Sequence, residues 1–268
     1  MLKEYGVLGE GNLEGIVAIT GDRWVPPTAE ELERLLAERA DVLEQKIEQG
    51  FTKLIVVPFA GSLDRLAEKY GEALKEAHSK GTLLDSSGQP LELDTNEPVW
   101  IWDPLKNADA KGELVYRPEE FGDNHNGMTK EEIIGVDGTP GWRLLLVEEG
   151  MSDIPKAGQG KTIGGRPQLE CGKNSTEYLR ILRDDPAYEN EVGLTPEAYL
   201  ALAMTELKEN HRVLDDETYT ALVDSYLPGQ REVPYADWDR GIRRAYLNAV
   251  GPDLASDDWG PRSAVRVT

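Results

Sequence analysis

Gly158-Gln159-Gly160-Lys161-Thr162 has the outward form of a phosphate-binding loop: it follows an apolar run and ends in Gly-Lys-Thr. Such a loop needs a glycine five residues before Gly160, so that successive backbone N–H groups can wrap the phosphates. Pro155 stands there and has no N–H to offer. Ile163-Gly164-Gly165-Arg166-Pro167 follows and breaks any helix that would carry the phosphate. A structural loop is therefore expected, and nucleotide binding through Gly158 to Thr162 is retained only as an alternative function. The histidines, His78, His125 and His211, have no partner at metal-ligand spacing. His78 is expected near a helix C-terminus, where it would ease the dipole. Asp184-Asp185, Asp215-Asp216 and Asp257-Asp258 lack the spacing of a calcium loop and read as solvated surface. Cys171 is the only cysteine, which excludes an internal disulfide and a CxxC metal site. No GxSxG or HExxH pattern occurs. The chain reads as a non-enzyme, with no catalytic residue, metal or cofactor assigned.

The formal net charge is −21, which repels phosphate backbones and anionic lipid and argues against nucleic-acid or membrane partners. No apolar run approaches the roughly 20 residues of a membrane span. Met1-Leu2-Lys3-Glu4-Tyr5-Gly6 has no secretory apolar region, so a cytoplasmic location is the default expectation.

Helices and strands alternate through the first third. Thr28-Ala29-Glu30-Glu31 fits a capping box. The helix it opens would place Leu32, Leu35, Leu36, Ala40, Leu43 and Ile47 on one face and stop at Gly50. A buried strand over 51–59, a helix over 62–79 and a strand over 99–102 follow. Residues 117–140 carry Pro118, Gly122, Gly127, Gly135, Gly138 and Pro140, which predicts a boundary or long loop. A strand over 141–148, a glycine-rich loop over 150–172 and a helix over 175–184 come next. A further helix begins at Thr195-Pro196 and runs to about 210. Beyond Asp215 the chain turns to short strands. The expected class is α+β, with an N-terminal region over 1–120, either its own unit or an elaboration of the same domain, and a ligand-binding domain over 121–268.

The last 36 residues differ from the rest. Residues 233–268 contain no Lys, Glu, Gln or Met, although those types supply 53 of the first 232 residues. At that frequency about eight would be expected in the window. The window is also neutral, with aspartates at 237, 239, 253, 257 and 258 and arginines at 240, 243, 244, 262 and 266. One mechanism predicts this composition. Asparagine codons of the form AAY, mutated at their adenines, reach every amino acid except Lys, Glu, Gln, Met and Trp. Trp238 and Trp259 cannot arise that way, so on this reading they are fixed scaffold.

Val233-Pro234-Tyr235-Ala236-Asp237-Trp238-Asp239-Arg240-Gly241, Arg244-Ala245-Tyr246-Leu247 and Gly260-Pro261-Arg262-Ser263-Ala264-Val265-Arg266-Val267 resemble the end of a variable protein of a diversity-generating retroelement. Gln159 to Arg166 and Asp94-Thr95-Asn96-Glu97-Pro98 are also similar to this group, nearest to the archaeal variable protein A type of Nanoarchaeota relatives. The likeness extends over most of the chain, but its specific motif is the C-terminal one. It implies a C-type lectin fold in the C-terminal half and a variable stretch at 233–267. It also implies a macromolecular ligand, expected to be a protein. Trp238, Leu247, Ala264 and Val265 would pack inward. The candidate variable, ligand-facing positions are Tyr235, Asp237, Asp239, Ile242, Arg243, Tyr246, Asn248, Ala249, Val250, Leu254, Ser256, Asp257 and Asp258. Formylglycine-generating enzymes share that fold, but their chemistry uses a cysteine pair and Cys171 has no partner.

Overall fold

The computed structural model describes residues 16–25, 27–136 and 140–268. The expectations for Met1 to Gly6 and for Gly138 lie outside the described residues.

β1 (Ile16–Val17) and β2 (Arg23–Trp24) pair with each other, then α1 (Ala29–Glu38) and α2 (Ala40–Glu48) lead into β3 (Phe51–Val57) and α3 (Leu63–Ser79). The middle holds β4 (Val99–Ile101), β5 (Val115–Tyr116), β6 (Met128–Thr129), α4 (Lys130–Ile134) and β7 (Arg143–Glu148). Next come β8 (Thr162–Ile163), β9 (Arg166–Pro167), α5 (Ser175–Asp184), β10 (Glu191–Gly193) and α6 (Pro196–Asn210). The C-terminal run is β11 (Tyr219–Ala221), β12 (Ser225–Tyr226), β13 (Val233–Asp239), β14 (Arg244–Val250), β15 (Trp259–Pro261) and β16 (Ser263–Arg266). The class is α+β, as expected.

Side-chain caps start the helices at the expected places, although of the capping box expected at Thr28 and Glu31 only the Thr28 half forms. Thr28, Ser62 and Thr195 each accept a hydrogen bond from the backbone N–H three residues on, satisfying a donor that the first turn leaves free. Two elements differ from expectation. The single helix expected over 28–50 divides at Arg39, which closes α1 and opens α2. After the division Lys46, not Ile47, faces the interior, because the buried carboxylate of Glu191 receives its ammonium at 2.7 Å. Within 117–140, expected as boundary or loop, Thr129 and Glu132 form a reciprocal capping box that nucleates α4. Lys130 then enters the core, meeting Asp109 at 2.6 Å and Glu197 at 2.8 Å. Unpaired, such a charge would not tolerate burial.

Two sheets organise the molecule. One has the order β10-β16-β7-β3, and the other β15-β11-β13-β14-β4. α6 lies among them, touching α3, β3 and β13, and is buried on every side from Pro196 to Leu207. Its mostly apolar surface suits a core helix, and its two buried carboxylates, Glu197 and Glu206, are paired with Lys130 and Lys53. Each sheet joins a strand from the first 120 residues to strands beyond 121, and one apolar core runs from Ile16 to Val267. The boundary expected near 120 therefore does not separate two cores.

Candidate functional site

β13 and β14 form a hairpin in continuous register from Val233 opposite Val250 to Asp239 opposite Arg244. Successive strand side chains alternate between faces, so one set must point inward and the other outward. Pro234, Ala236 and Trp238 of β13, with Ala245, Leu247 and Ala249 of β14, are the buried inner set. Tyr235, Asp237 and Asp239 lie on the other face opposite Asn248, Tyr246 and Arg244. Asn248 Nδ2 donates to Tyr235 Oη at 3.1 Å across the strands, which fixes both on that outer side.

The hairpin gains its width from distant segments. β4 pairs in parallel with β14, setting Trp100 beside Tyr246. Their rings stack at 4.3 Å and 9°. On the other flank β11 pairs with β13, and β15 with β11. One residue beyond the Thr220–Ala236 pair, Tyr219 comes opposite Asp237, and its parallel partner is Trp259. Tyr235 is 6.5 Å from Tyr246, 6.0 Å from Tyr219 and 5.2 Å from Trp259, centroid to centroid. The five rings thus make a continuous ribbon across the sheet. Trp259 is its closed end, buried with Leu169, Tyr178 and Leu182 beneath α5.

Asp237 sits amid these rings. It is 5% exposed, and its Oδ1 has no hydrogen-bond partner. Burial, then the charges of Asp239, Asp215 and Asp258, push its carboxyl up to about 8. Burial likewise raises Tyr235 to about 12 and moves Tyr219 and Tyr246 upward, so these phenols keep their protons. The arginines at the hairpin's end are engaged elsewhere. Arg244 pairs with Glu97 and Asp94, and Arg240 with Asp85 and Asp216. No described cation of the chain is paired with Asp237.

A buried lock stands behind the face. Asp215 receives Thr220 at 2.6 Å, Thr218 at 3.1 Å and Arg262 at 2.6 Å, while its carbonyl receives the N–H of Trp238 at 2.9 Å. Arg262 also donates to the carbonyls of Met151 and Ser152. The arginine of the C-terminal motif thus ties β11, β13 and the β15–β16 corner together.

The expected site residues fall into separate groups. Tyr235, Asp237, Asp239, Tyr246 and Asn248 share the outer face, and Val250 lies at its end against the apolar cluster around Trp259. Ile242 and the αL residue Arg243 occupy the exposed hairpin turn. Leu254, Ser256, Asp257 and Asp258 belong to the loop leaving the opposite end of β14. Ala249 was expected to face the ligand, and the structure corrects this. It is 8% exposed in the core, because the two-residue period that turns Asn248 and Val250 outward turns Ala249 inward. Asp239 also holds the turn, its Oδ1 accepting from the N–H groups of Gly241 at 2.7 Å and Ile242 at 3.1 Å. Trp238, Leu247, Ala264 and Val265 are all buried. Sequence reasoning missed Trp100 and Tyr219, which stand outside the unusual window. The aromatic alternation of Val99-Trp100-Ile101-Trp102 was the available signal, but it does not reveal the partner strand.

Elsewhere, the amides of Gly158 and Gly160 donate to Glu170 at 2.9 and 2.6 Å, so the chain's own carboxylate occupies the position a phosphate would need. Thr162 continues as β8, not as a helix. Cys171 is buried, and burial pushes its thiol up to about 12, far from a reactive thiolate. His78 is in the last turn of α3, His125 accepts from Gly127 N–H, and His211 caps α6 in the αL conformation. Asp215 and Asp216 are buried and paired with arginines, correcting the reading of that doublet as solvated surface. Among the described residues no group of three metal-ligating side chains forms.

A scan against protein-family models finds no matching family, and neither curated proteins nor solved structures show a match to the chain.

Proposed function

We propose that the chain is a non-catalytic, receptor-like variable protein of a diversity-generating retroelement, presenting the outer face of β13 and β14 to a protein partner from a C-type-lectin-like scaffold. One observation carries the reading. The window without Lys, Glu, Gln or Met folds so that its outward residues, Tyr235, Asp237, Asp239, Arg244, Tyr246 and Asn248, are all types that AAY codons reach. Both tryptophans of the window, which such codons cannot reach, are buried. Half-buried side chains on the outer side of a packed inner layer can change at less cost to stability than the inner set, with Asp237, itself buried, the exception. Tyrosine-rich surfaces also supply large contact area with few rotatable bonds, which suits recognition of many partners. The amides of the Gly158–Thr162 loop are already occupied, which weighs against nucleotide binding there.

The test is on DNA. The codons for residues 230–268 and the flanking kilobases should contain a near-copy that differs only at its adenines, beside a reverse transcriptase gene. Differences are expected at the codons of Tyr235, Asp237, Tyr246 and Asn248, and none at those of Trp238, Leu247 and Trp259. A complete locus without such a copy, or differences spread equally over inward codons, would overturn the reading.

A further inference from the structure

We infer that the centre of this face takes up a basic side chain of the partner, best an arginine guanidinium, with the Asp237 carboxyl, which gives up its proton to solvent as the cation enters, as its contact and Tyr219, Tyr235 and Tyr246 as the π surfaces beside it. The inference rests on the reading of the face as the ligand-binding surface and adds the chemistry of what binds there.

Three observations converge on it. First, the Asp237 Oδ1 is buried without a donor. A buried polar atom left unpaired is costly, so a donor brought by a partner would find this acceptor open. Second, the atoms around it are aromatic. Asp237 is flanked across the strands by Tyr246 and Tyr219 and two residues along by Tyr235, with Trp100 stacked behind Tyr246. A cation within about 6 Å of a ring centroid is attracted by the ring's quadrupole, more so when water is excluded. A planar guanidinium can stack on such a ring while its edge donates two hydrogen bonds to a carboxylate, which an ammonium cannot match. Third, the surrounding potential is negative. Asp239, Asp258 and Asp215 lie close enough to act on Asp237, and Arg244 and Arg240 are held by other carboxylates. A metal ion fits this place poorly, since one carboxylate among rings offers too few oxygen ligands.

The experiment uses the full chain at pH 9, where the Asp237 carboxyl is ionised, and two probes of one shape, Nα-acetyl-arginine amide and its uncharged isostere Nα-acetyl-citrulline amide, titrated by NMR. Arginine is expected to shift the Trp100 indole and the amides of β13 and β14, and citrulline to bind at least tenfold more weakly. Asp237→Asn, which keeps the shape, should weaken the arginine probe at least tenfold. Equal binding of the two probes to the native chain would overturn the inference whether or not the variant folds. A displayed random-peptide library selected on the native chain separates this failure from that of the parent reading. Binders lost on Tyr246→Ala or Trp100→Ala, rich in arginine and sensitive to Asp237→Asn, support both. Face-dependent binders that lack basic residues and tolerate Asp237→Asn overturn the inference and leave the face standing as a binding surface. Binders indifferent to every face residue overturn both.

Discussion

Asp237 is a carboxylic acid in a place that disfavours its charge, and that gives it a pH signature. Around it stand Asp239 and Tyr235 on β13, Tyr246 and Arg244 on β14, Tyr219 on β11 and Asp258 in the following loop, with Asp215 behind. The unfolded chain releases this proton near 3.8, whereas the folded chain holds it to about 8. Between those values the native state binds more protons, so this residue's contribution to stability is complete below pH 4 and lost as pH rises through 8. At about 1.4 kcal/mol for each tenfold difference in proton affinity, the loss is on the order of 5 kcal/mol. Asp237→Asn cannot ionise and is expected to raise the melting temperature at pH 8 by about 10 °C while leaving it near the native value at pH 4. Melting curves that run parallel for both proteins from pH 4 to 9 would refute this account. A stability gain from removing the carboxylate is the cost expected of a side chain that serves the proposed contact, since sites for ligands often carry such a cost.

The hairpin is the element on which the proposed display and the folding divide. Leu247→Ala would leave a hole in the core and should cost about 2–5 kcal/mol. Asn248→Ser on the opposite face should cost less than about 0.5 kcal/mol. Ala249, adjacent to Asn248 and inward, is the sharper control: Ala249→Asn would bury an unpaired amide and is expected to destabilise by about 1–3 kcal/mol. Asp239 stands between these classes. It faces outward, yet its carboxylate receives two turn amides, so Asp239→Ala should cost about 1 kcal/mol even without a ligand. Urea unfolding of the four variants tests the order. Equal losses at Asn248 and Leu247 would remove the distinction between display and scaffold.

Across the whole molecule, the outer face of the hairpin and the N-terminal third are one structure. β4 supplies Trp100 to the face from residues 99–101, and β3 closes the other sheet against β7. A fragment of residues 121–268 would lose both strands and the packing of α3 on α6, so it is expected to lack a cooperative thermal transition and dispersed NMR signals. A fragment that melts cooperatively like the full chain would show that the first 120 residues are dispensable. The sequence by itself determined the caps at Thr28 and Thr195, the helix starting at Ser62, the α+β class, the inward place of Trp238 and Leu247, and the compositional break at residue 233. Those features rest on local chemistry: a hydroxyl three residues from a free N–H, an alternation of two, or a change in residue types. It could not determine that Lys46 and Lys130 lie inside, because their burial depends on Glu191, Asp109 and Glu197 from distant segments. Nor could it assemble the face. Trp100 and Tyr219 reach Tyr246 and Asp237 only through strand pairings, one of them across some 146 positions of chain, and a side chain's periodicity carries no record of which strand will lie beside it. Tertiary structure made that choice, by burying α6 and docking the strands around it.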